Sequence, residues 1–293
     1  LFLKTMITAS LVKELREQTG AGMMECKNAL KETEGDIAAA IKYLRERGDL
    51  KAAKKADRAA KEGVVAAQIS EDGKSGILVE VNCETDFVAR NENFQAFVDE
   101  VASTVAASDA QDLEAALALP KGDQTLEGYI KTKVLELGEN LQFRRFERLN
   151  VSGEGAVASY IHLGGKVGVL IAVNAEKAES ASNDAFRDLV KDLTLHIAAS
   201  APAGLGREDI PADLVEAEKD IFRKQMEGQN KPADILEKII SGKLGKFYSE
   251  HCLLEQGFVK DPDTTVQGLL EAQGKEVGDT LAIDRFVRFQ LGE

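Results

Sequence analysis

The chain has 293 residues, 44 % of them hydrophobic, and a formal net charge of −13. That length exceeds one ordinary core, so two or three domains are expected. The charge argues against direct nucleic-acid binding, whose affinity comes largely from phosphate neutralisation, and no apolar run approaches the roughly 20 residues needed to span a bilayer.

Leu1 to Thr5 precede a plausible start at Met6 and are too short for a signal or transit peptide. Residues 6–50 read as a compact helical module. Leu11 and Leu15 share one helical face, and Thr19-Gly20-Ala21-Gly22 ends that helix. Met24, Asn28 and Lys31 fall in a second helix. Asp36 caps a third that carries Ile37, Ala40, Ile41 and Leu44, with Gly48 placed to stop it. Residues 51–61 read as a linker helix, with Lys51, Lys54, Lys55 and Arg58 opposite Ala52, Ala56 and Ala59. A solvated polar face is a plainer account of that stripe than a nucleic-acid patch. Cys26, Cys83 and Cys252 form neither an even framework nor a C-x-x-C pair, which fits a reducing cytoplasm.

The rest of the chain is duplicated. Gly63, Gly73, Gly76, Asn82, Phe94 and Ser108 recur as Gly155, Gly165, Gly168, Asn174, Phe186 and Ser200. The offset is ~92 positions without a gap, and ~40 % of the window is identical, the mark of an internal repeat. Gly138, Leu141, Arg145 and Phe146 recur as Gly278, Leu281, Arg285 and Phe286 at an offset of ~140, so the second copy carries an insertion of ~48 residues. Two α+β core subdomains follow, at 62–149 and 150–293. Each should be a small antiparallel sheet with helices on one face, closed by a late strand at Leu141 to Leu149 or Leu281 to Leu291.

The insertion, at about 205–258, reads as a helical hairpin. Pro211 lies near the start of a helix with Leu214, Ala217 and Ile221 at apolar spacing. Gly228-Gln229-Asn230 turns the chain, and Pro232 begins a returning helix with Ile235, Leu236, Ile239 and Ile240. Such a hairpin binds a partner, pairs with a second copy, or braces the fold.

No catalytic constellation emerges, and no cofactor or metal site. His162, His196 and His251 are scattered, without ligand spacing to each other or to the cysteines. Gly73-Lys74-Ser75 resembles the tail of a phosphate loop, but the required earlier glycine would fall at Gln68, and the segment is a strand–strand turn. What remains is the end of the second strand. The first copy has Thr85-Asp86-Phe87-Val88 where the second has Lys177-Ala178-Glu179-Ser180. Phe87 could tuck into its own core, yet a shared core pocket would not take both Phe and Glu. An exposed Phe87 is the better reading, and burying it in a partner would contribute roughly 1.5–3 kcal/mol.

Leu15-Arg16-Glu17, Thr19-Gly20-Ala21-Gly22-Met23-Met24-Glu25-Cys26-Lys27, Lys51-Ala52-Ala53-Lys54-Lys55, Glu80-Val81-Asn82-Cys83-Glu84-Thr85-Asp86-Phe87-Val88 and Ser159-Tyr160 with His162 closely resemble, in order, the signatures of the elongation factor Ts family. The resemblance implies a ubiquitin-associated-like N-terminal bundle, two duplicated core subdomains and an inserted coiled-coil hairpin. It implies an exchange factor, not an enzyme, that promotes GDP release from elongation factor Tu and binds its GDP-bound and nucleotide-free forms. By the same resemblance, Thr85, Asp86, Phe87 and Val88 would disturb the partner's magnesium site. Arg16, Met23 and Met24 would dock on its G domain, and His162 would belong to a contact of the second subdomain. As plain residues, Met23 and Met24 suit either an adaptable surface or the filling of the small bundle. A ubiquitin-type adaptor, or a subunit assembling through the hairpin, are the competing readings.

Overall fold

The computed structural model describes residues 7–226 and 232–293. Three helices open it: α1 (Ala9–Thr19), α2 (Met23–Glu32) and α3 (Ile37–Lys55). The Thr8 side chain accepts the Leu11 N–H, and Asp36 accepts the Ala39 N–H, satisfying amides that a first turn leaves free. Gly20 closes α1 at φ 67°, a left-handed cap that costs glycine little. Leu15, Cys26, Leu30 and Ala40 meet in a small core.

Gly48 does not end the third helix, and residues 51–55 are the end of α3, not a separate linker helix. Glycine costs a helix interior only roughly 1 kcal/mol, and α3 continues through it packed beside the helix Leu126–Leu137. A Cβ at residue 48 would make ordinary contact with the Lys131 carbonyl oxygen, at 3.7 Å. The basic stripe is partly engaged within the chain: Lys55 Nζ donates to the Gly138 carbonyl, and Arg58 lies 3.6 Å from Glu84.

The first core subdomain runs β1 (Glu62–Ile69), β2 (Ser75–Cys83), α4 (Asp86–Ala89), α5 (Glu92–Ala106), α6 (Leu113–Leu117), a short pair β3 (Pro120–Lys121) and β4 (Gln124–Thr125), α7 (Leu126–Leu137) and β5 (Gln142–Asn150). Its antiparallel sheet has the order β1–β2–β5. The second repeats this plan with β6 (Glu154–His162), β7 (Val167–Ala175), α8 (Ala178–Ala181) and α9 (Asp184–Ser200), then the inserted α10 (Ala212–Gln225) and α11 (Ala233–His251). It ends with β8 (Gly257–Phe258), β9 (Asp261–Thr265), α12 (Val266–Val277) and β10 (Leu281–Gln290), giving the sheet β10–β7–β6. Phe94, Phe97 and Val101 of α5 cover Ile77 and Val79 of β2; Phe186, Val190 and Leu193 of α9 cover Val169 and Ile171 of β7.

The opposite faces of the two sheets pack on each other. Val65, Leu78 and Leu149 of the first meet Val157, Leu170 and Val287 of the second. This explains why β2 and β7 are nearly continuous apolar runs: both of their faces are covered. The duplicated glycines mark the contact. A Cβ on Gly76 would come within 2.9 Å of Val157 and 3.0 Å of Leu170; one on Gly168 would come within 2.4 Å of Val65 and 2.9 Å of Leu78. Main-chain bonds cross as well: the Val157 N–H donates to Gly73 O at 2.7 Å, and the Val65 N–H donates to Gly165 O at 2.8 Å. The turn of each sheet thus binds the edge strand of the other.

Pro211 and Pro232 each stand directly before an inserted helix. The predicted Gly228-Gln229-Asn230 turn lies outside the described residues. The two ends of the insertion meet, with the Ala203 N–H on His251 O at 2.8 Å and the Leu253 N–H on Gly204 O at 2.9 Å.

Candidate functional site

The turn after β2 is built around one carboxylate. Glu139, just past α7, accepts the Glu84 and Thr85 N–H groups on Oε2 at 3.0 Å each, and the Thr85 hydroxyl on Oε1 at 2.6 Å. The same hydroxyl accepts the Val88 N–H at 3.3 Å and so caps the single-turn helix α4. Burial, with the charge of Glu139 adding to it, pushes the Cys83 thiol up to about 12. Cys83 is therefore a packing group that donates to Thr85 O at 3.2 Å, and its thiolate is not accessible near neutral pH.

On this clamped turn, Val88 packs against the first core and Ala89 is buried. Asp86 lies at the surface, 3.0 Å from Arg90. Phe87 points outward with 84 % of its surface exposed. A benzyl group left in water on a turn held by several hydrogen bonds is poised to be covered by something else. The same backbone position in the second copy is Glu179, also exposed, whereas Ser180 is buried where Val88 packs.

The other predicted contact residues lie elsewhere. Met23 and Met24 are 60 % and 64 % exposed, so neither fills the bundle; Cys26, Ala29 and Leu30 do. With Arg16, Val12 and Ile7 the two methionines line a groove of about 600 Å³. His162, at the end of β6, is exposed, and its Nδ1 lies 2.9 Å from the Tyr160 hydroxyl; Leu163 follows, also exposed.

The elongation factor Ts family model matches residues 84–293. Elongation factor Ts of Trichlorobacter lovleyi is 47 % identical over 290 residues, covering 98 % of this chain and 93 % of the relative. That of Syntrophotalea carbinolica is 48 % identical over 289 residues, with the same coverage. The chain belongs to the elongation factor Ts family. Nitratiruptor sp. supplies a further relative, 46 % identical over 287 residues, 98 % of this chain and 93 % of its own length. The elongation factor Ts family is the nucleotide-exchange class that serves elongation factor Tu in translation elongation.

The remaining histidines are structural. His196 is fully buried; its Nδ1 accepts the Val259 N–H at 3.1 Å, so the ring proton is on Nε2, which donates to Gln256 Oε1 at 2.9 Å. Burial lowers its pKa and the Gln256 bond partly opposes the shift. His251 stacks on Phe247 at 4.2 Å. Among the described residues no group of His, Cys, Asp and Glu is placed to hold a metal ion, and no helix is long and apolar enough to cross a membrane.

Sequence reasoning missed Glu139 and Asn140 and gave Glu84 no role, although these groups hold the exposed turn. A signal was present in the repeat. Gly138-Glu139-Asn140-Leu141 aligns with Gly278-Asp279-Thr280-Leu281, and an acid is kept in both copies. Asp279 does the matching work in the second, accepting the Glu176 and Lys177 N–H groups at 3.3 and 3.0 Å.

Proposed function

We propose that this chain releases GDP from elongation factor Tu by inserting the Asp86–Phe87 tip beside the partner's nucleotide, where it disturbs the magnesium and phosphate site. The observation that carries this reading is Phe87, 84 % exposed on a turn that Glu139 holds at three donors, and present in one copy of the repeat only.

A GTPase holds magnesium in near-ideal octahedral geometry through few protein ligands, phosphates and waters, so small shifts of the surrounding loops weaken ion and nucleotide together. Phe87 supplies the wedge. Covering its ring contributes roughly 1.5–3 kcal/mol, which can be spent on distorting the site that receives it. Asp86 brings negative charge toward the phosphates, with Arg90 as its counter-ion at 3.0 Å. Thr85 and Val88 fix the turn from beneath. Linkage makes the effect reciprocal: each 1.4 kcal/mol taken from nucleotide affinity is about tenfold, and bound nucleotide weakens the factor by the same amount. The factor therefore holds the nucleotide-free partner most tightly and leaves when nucleotide returns. No cofactor or acid–base side chain of this chain takes part.

Arg16, Met23 and Met24 serve in this reading as the docking surface of the N-terminal bundle, a ubiquitin-associated-like module, on the partner's G domain. Flexible thioethers beside a groove suit an adaptable contact. His162 marks a second contact made by the other subdomain. The α10–α11 pair is read as a coiled-coil hairpin that joins a second copy, since Leu214, Ile221 and Ile235 are exposed on it. The setting is the cytoplasm, with no direct contact to nucleic acid or membrane.

Release of fluorescent GDP from purified elongation factor Tu tests the wedge. Phe87→Ala is expected to slow release at saturating factor by about 10- to 100-fold, the equivalent of the ~1.5–3 kcal/mol that its ring contributes. Release at the wild-type rate from a folded variant would remove the assignment.

A further inference from the structure

We propose that Glu139 and Asn140 are positioning residues for nucleotide release, tying the segment that leaves the N-terminal bundle to the turn that carries Phe87. This role presupposes that Phe87 loosens the nucleotide as proposed above.

Residues 138–140 face two ways. On one side, Glu139 takes the amides of Glu84 and Thr85 and the Thr85 hydroxyl, and the Asn140 N–H donates to the Glu84 carboxylate at 2.7 Å. On the other, the Asn140 side-chain amide donates to Arg58 O at 2.8 Å and Ala56 O at 3.3 Å, and Gly138 O accepts from Lys55 Nζ. Asn140 is 4 % exposed, so its amide is withdrawn from water and satisfied by the chain just beyond α3. Arg58 closes the ring, 3.6 Å from the same Glu84 oxygen. The bundle and the tip are thereby fastened to one three-residue turn.

The second copy separates what belongs to the fold from what belongs to the tip. Asp279 also accepts the two amides of its turn, so that half of the clamp is common property. Each clamp acid also takes a hydroxyl from its turn, Thr85 at 2.6 Å in the first copy and Ser180 in the second. The addition found only in the first copy is Asn140, where the second has Thr280; it makes the link to residues 56 and 58. That link falls in the copy that carries the exposed ring. Docking of the bundle then determines where Phe87 lands, and an error of about 1 Å in such placement can cost on the order of 100-fold in rate.

The test is fluorescent GDP release from elongation factor Tu by the full-length factor, fitted for maximal rate and half-saturating concentration. Glu139→Gln and Asn140→Ala are each expected to lower the maximal rate about tenfold, with half-saturation changed less than about twofold. Added to Phe87→Ala, neither should cause further loss, because each acts through that ring. Thr85→Val should lower the maximal rate as Glu139→Gln does; this variant tests the hydroxyl link even if a Glu139 variant fails to fold. Asp279→Asn, the same change on the other tip, should leave release untouched. Wild-type release by Glu139→Gln or Asn140→Ala, losses that multiply with that of Phe87→Ala, or an equal loss in Asp279→Asn would each overturn the positioning role. Wild-type release by Phe87→Ala itself would instead bring down the wedge, and this role with it.

Discussion

The tips Thr85–Val88 and Lys177–Ser180 share a backbone and differ in what they show to solvent. Each is a single helical turn after a central strand, and each has two amides bound to an acid beyond a later helix. One carries Phe87 at its exposed position and the other Glu179. The clamp maintains the fold, and the exposed side chain is free to diverge because no core contact depends on it. A duplicated scaffold can thus carry a contact on one copy without cost to the other.

The largest effect should come from exchanging the tips. A chain with Phe87→Glu and Glu179→Phe keeps the same composition, yet should lose the greater part of stimulated GDP release, by about 10- to 100-fold, since the ring then sits on the tip that lacks the Asn140 link. Recovery of release in that double variant would mean the two tips are equivalent. Next in size are the contact glycines. Gly168→Ala forces a methyl within 2.4 Å of Val65 and should cost ~1–3 kcal/mol, with a similar loss for Gly76→Ala, read as the midpoint of urea unfolding. If either were neutral, the two sheets would not be as closely opposed as described. Replacing residues 205–251 by a short loop, which the meeting of Gly204 with Cys252 permits, should lower the mass seen by light scattering and leave GDP release within about threefold of wild type.

The smallest effect separates the copies by pH. His196 occupies the place of Thr104, which does not titrate in this range. Burial holds the folded-state pKa of His196 below its ordinary 6.5, so the unfolded chain binds its proton first as pH falls. Stability from this group is complete above about 6.5 and declines as pH drops from there toward the folded-state value. Melting at pH 7.5 and 5.5 should therefore show an acid loss that shrinks in His196→Gln; an unchanged loss would assign the sensitivity to other groups.

The repeat, the α+β class and the exposure of Phe87 could be read from the sequence, the last because a Phe and a Glu at one repeat position cannot both be core. Gly48 misled, since a glycine after an apolar helix looks like a stop, whereas α3 runs on past it, packed beside α7. The face-to-face packing of the sheets was hidden because continuous apolar strands such as Ser75–Cys83 do not reveal what covers their second face. Glu139 lies far from Thr85 along the chain, and a carboxylate on a surface turn gives no sign of which amides it will receive. Met23 and Met24 lie at the surface because of helix phase: Cys26 and Leu30 take the inward positions.

The crossed bonds of Val65 with Gly165 and Val157 with Gly73 have a mechanical consequence. A ring pressed into a neighbouring molecule meets an equal recoil, and that load passes from the first sheet directly into the second through paired main-chain bonds and a common apolar seam. Neither sheet can peel away alone without exposing the seam, so the recoil is taken up by the whole sandwich.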